Sequence, residues 1–164
     1  MRKTAANVAA TTVFGAIVAF SPMAAAQEDG DDSAVRIQAE EVEKALADFA
    51  LVAAGQRSFI KCQACHMVGE NAQRRVGPAL NGVVGRGAGT SDGFAYAPGM
   101  KAAAQNGLVW TVEKLDAYLK APRDIVPATT MGFVGIPKPE ERKALIAYLA
   151  SFAADGSRVE TGDE

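Results

Sequence analysis

The sequence contains only two cysteines and one histidine among its 164 residues. Two cysteines are too few for the disulfide framework of a small secreted domain. With a single histidine, they also cannot supply the four ligands of a structural zinc site. The net charge of −2 excludes a strongly basic nucleic-acid-binding chain at the level of the whole molecule. Hydrophobic residues make up 49% of the chain, which excludes wholesale disorder, and the length is that of a single domain.

The N-terminus has the organisation of a secretory signal. Two basic residues, Arg2 and Lys3, precede an uncharged stretch that continues to Gln27 and contains three alanines at 24–26. A basic start, an apolar stretch and a small-residue cleavage site are typical of bacterial export signals. We therefore predict a cleaved signal peptide at 1–26 and a periplasmic protein. The alternative is an uncleaved membrane anchor, because about 20 apolar residues can span a bilayer.

Charge is distributed unevenly along the predicted mature chain. An acidic N-terminal extension, 27–48, has a net charge of −6, and an acidic C-terminal tail, 155–164, has a net charge of −3. The segment between them, 49–154, has a net charge of +5. A basic domain with acidic ends is therefore predicted, and we expect the C-terminal tail to be solvated.

Apolar residues at helical spacing predict a first helix over about 34–62, with a break near Gly55. Eight glycines and two prolines follow between residues 69 and 99. That density excludes long regular elements and predicts a loop that wraps closely around another group.

Three further helices are predicted from the residues at their ends. Pro98 begins a short helix that ends at Gly107, Thr111 caps a helix that Pro122 ends, and Pro139 begins a final helix that stops near residue 155. No alternating strand of useful length and no repeat is present. The sequence predicts a small all-α domain with long loops, which needs an additional component in its core.

Both cysteines and the histidine stand together as Cys62-Gln63-Ala64-Cys65-His66. C-x-x-C-H is the attachment sequence for covalent haem. Two thiols at this spacing can reach the two vinyl groups on one porphyrin edge and form thioethers, while His66 presents its imidazole to the iron. A redox C-x-x-C would follow a strand in a βαβ unit, which the sequence does not show. Random placement produces this motif on the order of once in ten thousand sequences of this composition.

A haem iron held by His66 needs a sixth ligand or an open position. The soft donors outside the predicted signal are Met67, Met100 and Met131. Met67 adjoins His66 and cannot cross the ring, and Met100 lies on a predicted short helix where packing is its expected role. Met131 lies in an irregular loop 65 residues after the histidine, from which a thioether can reach the iron from the opposite side. We predict Met131 as the sixth ligand, which makes the centre an electron carrier.

With these motifs, segment 49–154 resembles the class I c-type cytochromes, close to soluble bacterial and mitochondrial cytochrome c. The resemblance implies crossed N- and C-terminal helices, with Gly55 and Phe59 on the first and Leu145 and Tyr148 on the last. It also implies loops that wrap one covalently bound haem c. The interval between Tyr96 and Trp110 is three residues longer than in the short form of the family.

Further haem contacts follow from the same resemblance. The Pro78 carbonyl is expected to hold the histidine NH, and Leu80 is expected to pack on the haem. The expected hydrogen-bonding partners of the haem carboxylates are Arg86, Tyr96 and Trp110. The expected distal wall consists of Tyr118, Thr129 and Phe133, together with Met131.

The function that the resemblance implies is that of a monomeric carrier of single electrons, with no catalytic residues and no nucleic-acid partner. A cytochrome bc1-type donor and a terminal oxidase or reaction-centre acceptor in a respiratory or photosynthetic chain are the implied redox partners. Docking would use basic residues around the haem edge: Lys61, Arg74, Arg75, Lys120, Arg123 and Lys138. Two alternatives stay open from the sequence, namely a membrane-anchored cytochrome c and a haem enzyme such as a peroxidase.

Overall fold

A computed structural model of the chain describes residues 29–159, with side chains from Arg36 onward. The predicted signal peptide, 1–26, and residues 160–164 lie outside this range. Between residues 29 and 159 there are six α-helices, one 3₁₀ turn and two isolated β-bridges, but no β-strand. Among these helices, none has both the length and the apolar character needed to cross a membrane.

The helices in chain order are α1 (Asp29–Ala47), α2 (Phe49–Ser58), α3 (Pro98–Gln105), α4 (Val112–Lys120), α5 (Pro122–Ile125) and α6 (Pro139–Ala150), and the 3₁₀ turn (Phe59–Lys61) continues α2. The predicted all-α fold is confirmed. Helices α3 and α6 begin at their predicted prolines, which are preorganised for a first helical turn. Thr111 caps α4 as predicted, because its hydroxyl accepts a hydrogen bond from the Lys114 amide at 3.1 Å.

The prediction of one helix over 34–62 with a break near Gly55 is wrong in the position of the break. The chain is interrupted at Asp48, whose carboxylate accepts a hydrogen bond from the Leu51 amide at 2.9 Å and so caps α2. An aspartate in this position satisfies one of the free amides at a helix start. Gly55 lies inside α2 and is buried.

Gly55 permits the close crossing of α2 on α6. A Cβ atom at position 55 would lie 1.9 Å from the Ala144 carbonyl oxygen and 2.6 Å from the Tyr148 Cβ. Below the crossing, the rings of Phe59 and Tyr148 pack with their centroids 5.5 Å apart. Three of the residues expected at the crossed terminal helices therefore meet there, and Leu145, the fourth, is fully buried in the same core cluster as Phe59 and Tyr148.

Residues 155–159 belong to the tail that we expected to be solvated; Asp155, Arg158 and Val159 are exposed, but the segment packs in part on the end of α6. Helix α6 ends at Ala150, earlier than predicted, and the chain then turns back on it. The Val159 amide donates to the Ser151 carbonyl at 3.1 Å, and the Arg158 guanidinium lies over the Phe152 ring at 4.2 Å. The aromatic face and the carbonyls at the end of α6 thus give the segment a surface to pack on.

Two irregular segments complete the domain, one between Cys62 and Ala97 and one between Val126 and Lys138. Both contribute to the walls of a cavity that α4 and α6 also line. Val126 and Ile136 are fully buried near the two ends of the second segment. The helices therefore form a frame, and the irregular segments close it around the cavity.

The first prediction concerns the crossing. Gly55→Ala should lower the free energy of unfolding by about 1–3 kcal/mol or prevent folding, because the added methyl group forces α2 and α6 apart. Gly87→Ala is the matched control, since a Cβ there would only contact the Thr90 Cγ2 at 3.4 Å. Urea denaturation measures both. Equal stability of the two variants would contradict the role of Gly55.

The second prediction concerns Ala128, the one described non-glycine residue with a positive φ, at 60°. It is the third residue of a turn closed by a hydrogen bond from the Thr129 amide to the Val126 carbonyl at 3.1 Å. Ala128→Gly should raise the free energy of unfolding by about 1 kcal/mol, because glycine adopts this conformation without steric cost.

The converse substitution supplies the control for Ala128. Gly107 has φ 75° and open space around its Cα, so Gly107→Ala introduces the same backbone strain with no collision. It should lower the free energy of unfolding by a similar amount. If both variants unfold at the same urea concentration as the parent chain, Ala128 is not strained.

Candidate haem site

The Cys62–His66 segment follows directly on the 3₁₀ turn that continues α2. The amides of Cys65 and His66 both donate to the Cys62 carbonyl, at 3.0 and 2.9 Å. These bonds wind the segment into a tight turn, so that both sulfurs and the imidazole line one cavity of about 510 Å³. This is the local geometry that the motif predicted.

His66 is fixed by a hydrogen bond and by a glycine. Its Nδ1 lies 2.8 Å from the Pro78 carbonyl oxygen, which can only accept, so Nδ1 carries the proton and Nε2 keeps its lone pair. A Cβ at Gly77 would lie 2.3 Å from the His66 Cε1, so the ring occupies space that only glycine leaves free. Burial lowers the pKa of His66 and so favours a neutral imidazole, while the hydrogen bond to Pro78 raises the pKa by a smaller amount. A neutral, oriented imidazole is suited to ligate a metal.

The two cysteines are free thiols that do not form a disulfide. Burial raises the pKa of Cys62 to about 11, against the opposing charge of Lys61. Such a thiol is protonated at neutral pH, which disfavours a thiolate metal site or a redox pair. Among the described residues, no group of three or more histidine, cysteine or carboxylate side chains is placed to hold a metal ion.

Met131 and its neighbours form another part of the cavity wall. The Tyr118 hydroxyl donates to the Met131 Sδ at 3.9 Å, and the Met131 amide donates to the Thr129 hydroxyl at 3.3 Å. Burial raises the pKa of Tyr118, against the opposing effect of its hydrogen bond to Thr129, so the phenol remains a donor. Met100 also lines the cavity, whereas Met67 does not. The structure therefore leaves Met131 and Met100 as the two methionines that line the cavity.

Arg86 forms a polar part of the same wall. Its Nη1 donates to the Asn81 carbonyl at 2.8 Å and its Nη2 to the Ala79 carbonyl at 3.3 Å. Among the described side chains, its Nε is buried without a hydrogen-bond partner. A buried, unpaired guanidinium NH is costly, so an acceptor within the cavity is expected. A carboxylate of the cavity's occupant would satisfy it.

The structure brings every predicted site residue to this one cavity. The residues are Cys62, Cys65, His66, Pro78, Leu80, Arg86, Tyr96, Trp110, Tyr118, Thr129, Met131 and Phe133. The Trp110 and Tyr118 rings pack with centroids 4.8 Å apart, and the Tyr96 hydroxyl accepts from the Ser91 amide at 3.2 Å. Residues spread over 72 positions of sequence thus share one binding volume.

Sequence reasoning missed part of the wall and one of its supports. The additional apolar lining includes Val83 from the glycine-rich segment and Leu149 from α6. Asn81 was also missed, although its side chain accepts from the Gly69 amide at 2.8 Å and donates to the Gly69 carbonyl at 2.9 Å. The apolar period of α6 was visible in the sequence for Leu149. Nothing in the sequence distinguishes Asn81 from an ordinary loop residue.

The six basic residues predicted to surround the haem edge are all exposed. Lys61 lines the cavity and forms an ion pair with Glu141 of α6. Arg75 donates to the Gln63 carbonyl at 3.2 Å. Val76, which is 79% exposed, lines the same cavity, so the opening has an apolar part as well as a charged one.

Comparison with known proteins identifies relatives of this domain. A cytochrome c2 of Afifella marina is 52% identical over 106 residues, which is 65% of this chain and 86% of that protein. A cytochrome c-550 of Ancylobacter novellus is 45% identical over 65% of this chain and 99% of that protein. The solved structure of cytochrome c2 from Rhodospirillum centenum superposes with a TM-score of 0.60 at 40% identity, over 62% of this chain and 98% of that one.

The family assignment has a defined extent along the chain. The match to the cytochrome c family covers residues 52–153, which begins within the first turn of α2 and ends within the turn that follows α6. It includes the C-x-x-C-H motif, the whole cavity wall and the crossing of α2 on α6. On this match the chain belongs to the cytochrome c family.

Proposed function

We propose that this cytochrome c carries single electrons between membrane redox complexes after export from the cytoplasm. The observation that carries the proposal is the meeting of the C-x-x-C-H segment and Met131 in the walls of one cavity. A site with two axial ligands exchanges electrons and leaves no position for a substrate. Electron transport without enzymatic activity agrees with the relatives, which are cytochromes c2 and c-550.

The residues present fit a covalently bound haem c, the cofactor of the family. The walls are predominantly apolar, and both thiols of the C-x-x-C-H motif line the cavity. The unpartnered Arg86 Nε marks the place for a carboxylate. When bound, haem c supplies an iron that takes up and releases one electron. We assign the thioether bonds to Cys62 and Cys65.

His66 and Met131 are the proposed axial ligands. The Pro78 carbonyl keeps the proton on the His66 Nδ1, which leaves Nε2 as the donor and increases its basicity. The Tyr118 hydroxyl directs a hydrogen bond to the Met131 sulfur and so limits its rotation. A thioether favours ferrous iron, which raises the reduction potential.

The propionate end of the haem is assigned to the polar part of the wall. Arg86, Tyr96 and Trp110 are the proposed donors, and they provide charge and hydrogen bonds to carboxylates that would otherwise be buried without partners. Pro78, Leu80, Thr129 and Phe133 complete the proposed contacts by packing and by excluding water from the iron.

Export and docking are the remaining parts of the proposal. The predicted signal at 1–26 supports a periplasmic location, followed by the acidic extension 27–48, the domain 49–154 and the tail 155–164. Lys61 forms an ion pair with Glu141, and within residues 36–159 the other five basic residues are exposed and form no ion pair. A bc1-type donor and an oxidase or reaction-centre acceptor would meet this basic face through acidic surfaces.

The third prediction tests the sixth ligand. Met131→Leu should abolish the sulfur-to-ferric-iron charge-transfer band. It should also lower the reduction potential, by about 59 mV for each tenfold decrease in the equilibrium constant for reduction of the iron. Leucine nearly conserves the volume of methionine, so packing changes little. Visible spectra and a redox titration of the purified holoprotein measure both effects.

Met100→Leu is the matched control for Met131→Leu, because Met100 is the other methionine that lines the cavity. It should keep the charge-transfer band and the potential of the parent protein. Loss of the band in Met100→Leu, with the band retained in Met131→Leu, would transfer the ligand role to Met100.

The fourth prediction tests the basic face with a defined probe. Without residues 1–26 the chain has a net charge of −4, so it should repel ferricyanide unless its haem edge is locally positive. We expect the reduced protein to react with ferricyanide faster as ionic strength falls. Stopped-flow rates over a range of salt concentrations measure this dependence.

Charge-neutralising variants locate the effect on the surface. Lys120→Gln and Arg123→Gln should each slow the ferricyanide reaction roughly twofold to tenfold at low salt and leave it nearly unchanged at high salt. Lys101→Gln, which removes an exposed charge of α3 outside the proposed face, is the control. Rates that rise with salt in the parent protein would reject a positive haem edge.

A further inference from the structure

The segment that carries Met131 is held mainly near its two ends. We name residues 126–138 the distal loop. In the described part of the chain, no backbone–backbone hydrogen bond involves residues 130–135. The Met131 amide bonds only to the Thr129 side chain, and Val134 is 95% exposed. The position of the methionine sulfur therefore depends on how firmly the two ends of the loop are fixed.

The first end of the loop is a turn that packs against α3. The Thr129 amide donates to the Val126 carbonyl at 3.1 Å, and Val126 is fully buried. Gly99 of α3 lies so close that a Cβ there would stand 2.5 Å from the Pro127 carbonyl oxygen. This end is fixed by backbone contact.

The second end of the loop is held by the buried side chain of Arg142 of α6 and by a close backbone approach of Gly135 to Lys120, where a Cβ would lie 2.1 Å from the Lys120 carbonyl oxygen. The Arg142 Nη1 donates to the carbonyls of Ile136 and Pro137, at 2.9 and 3.0 Å. Its Nε and Nη2 donate to the two carboxylate oxygens of Asp116 on α4, at 2.8 and 3.0 Å. Arg142 is 5% exposed, so water competes little for its bonds to the loop carbonyls, whereas the Asp116 side chain is 41% exposed.

The planar guanidinium gives this arrangement its geometry. The paired bonds to Asp116 fix the plane of the guanidinium. The third nitrogen, Nη1, is thereby directed at the loop carbonyls. One further bond, from the Ile136 amide to the Leu119 carbonyl at 2.8 Å, joins the same part of the loop to α4. Four residues separate Ile136 from Met131, and they have no backbone bonds of their own to hold the sulfur in place.

We infer that Arg142, oriented by Asp116, is a positioning residue that holds the distal loop so that Met131 stays on the iron. The inference rests on the proposed role of Met131 as the sixth ligand. Loss of the bonds to Ile136 and Pro137 leaves the second end of the loop less firmly held and favours dissociation of the sulfur. Arg142 touches neither the iron nor the cavity, so it acts through the backbone of the loop.

Cyanide binding to the ferric holoprotein measures this opening, because cyanide takes the sixth position only after the methionine leaves it. Arg142→Lys keeps the positive charge but loses the planar fork. It should bind cyanide roughly tenfold or more tightly than the parent protein, the change expected on loss of a hydrogen bond to a charged group. The charge-transfer band should weaken in the same variant. Asp116→Asn, which keeps the donors to the loop carbonyls, should produce a smaller change of the same sign.

Arg158→Lys is the matched control. Arg158 is also a guanidinium that packs on α6, over Phe152 and bonded to the Ser151 hydroxyl, but it has no contact with the distal loop. It should lower the stability to urea without changing cyanide affinity, because global unfolding and loop opening are separate equilibria. Arg142→Lys should change both.

The outcomes separate the inference from the proposed function. Unchanged cyanide affinity in Arg142→Lys and Asp116→Asn, with the charge-transfer band lost in Met131→Leu, would overturn the positioning role and leave the ligand assignment intact. Equal increases in cyanide affinity for Arg142→Lys and Arg158→Lys would also overturn it, since any loss of stability would then suffice. A band retained in Met131→Leu would overturn the ligand assignment itself. If Arg142→Lys fails to fold, Asp116→Asn takes its place. Its cyanide affinity, compared with those of the parent protein and Arg158→Lys, then decides whether the positioning role stands.

Discussion

The close crossing of α2 on α6 is the contact on which the rest of the haem site depends. At Gly55 the two helices approach so closely that a methyl group would collide with the Ala144 backbone. Helix α2 and its 3₁₀ turn end at Lys61, immediately before Cys62, while α6 contributes Leu145 and Leu149 to the same cavity. Because packed interiors transmit small displacements, a separation of the helices would move the attachment segment relative to the opposite wall.

Between the crossed helices, side-chain hydrogen bonds replace regular secondary structure over long stretches. On the histidine side these bonds are short-range: Nδ1 of His66 meets Pro78 and the amide of Asn81 meets Gly69, each over 12 residues. Closing loops of this length costs little conformational entropy. On the methionine side the central bond joins Arg142 to Asp116 over 26 residues and requires α4 and α6 to be in place.

The sequence was sufficient for features whose chemistry is local. The C-x-x-C-H motif, the Thr111 cap and the prolines that begin α3 and α6 each act within a few residues, so their effects were predictable. The predicted helix break was placed near Gly55 instead of at Asp48. The cap at Asp48 depends on one hydrogen bond, from the Leu51 amide, and the apolar pattern continues through it without a change. Contacts between residues distant in sequence left no local signal. The sequence did not predict the Arg142–Asp116 pair, the Lys61–Glu141 pair or the packing of residues 155–159 on α6.

The hydrogen bonds near His66 join residues close in sequence, whereas the central hydrogen bond on the methionine side joins more distant ones. We therefore expect the two sides of the cavity to differ in local stability. His66 follows a cysteine that is covalently fixed in the holoprotein, and its ring is enclosed by Gly77 and Pro78. Met131, the proposed sixth ligand, has no such constraint, and its loop is held at one end by Arg142 together with the backbone bond from Ile136 to Leu119. Regions with few buried backbone bonds open at lower free energy than the global unfolding of the domain. On the proposed ligand assignment, we therefore expect the iron to become accessible first on the methionine side, while Cys62 and Cys65 keep the histidine side attached.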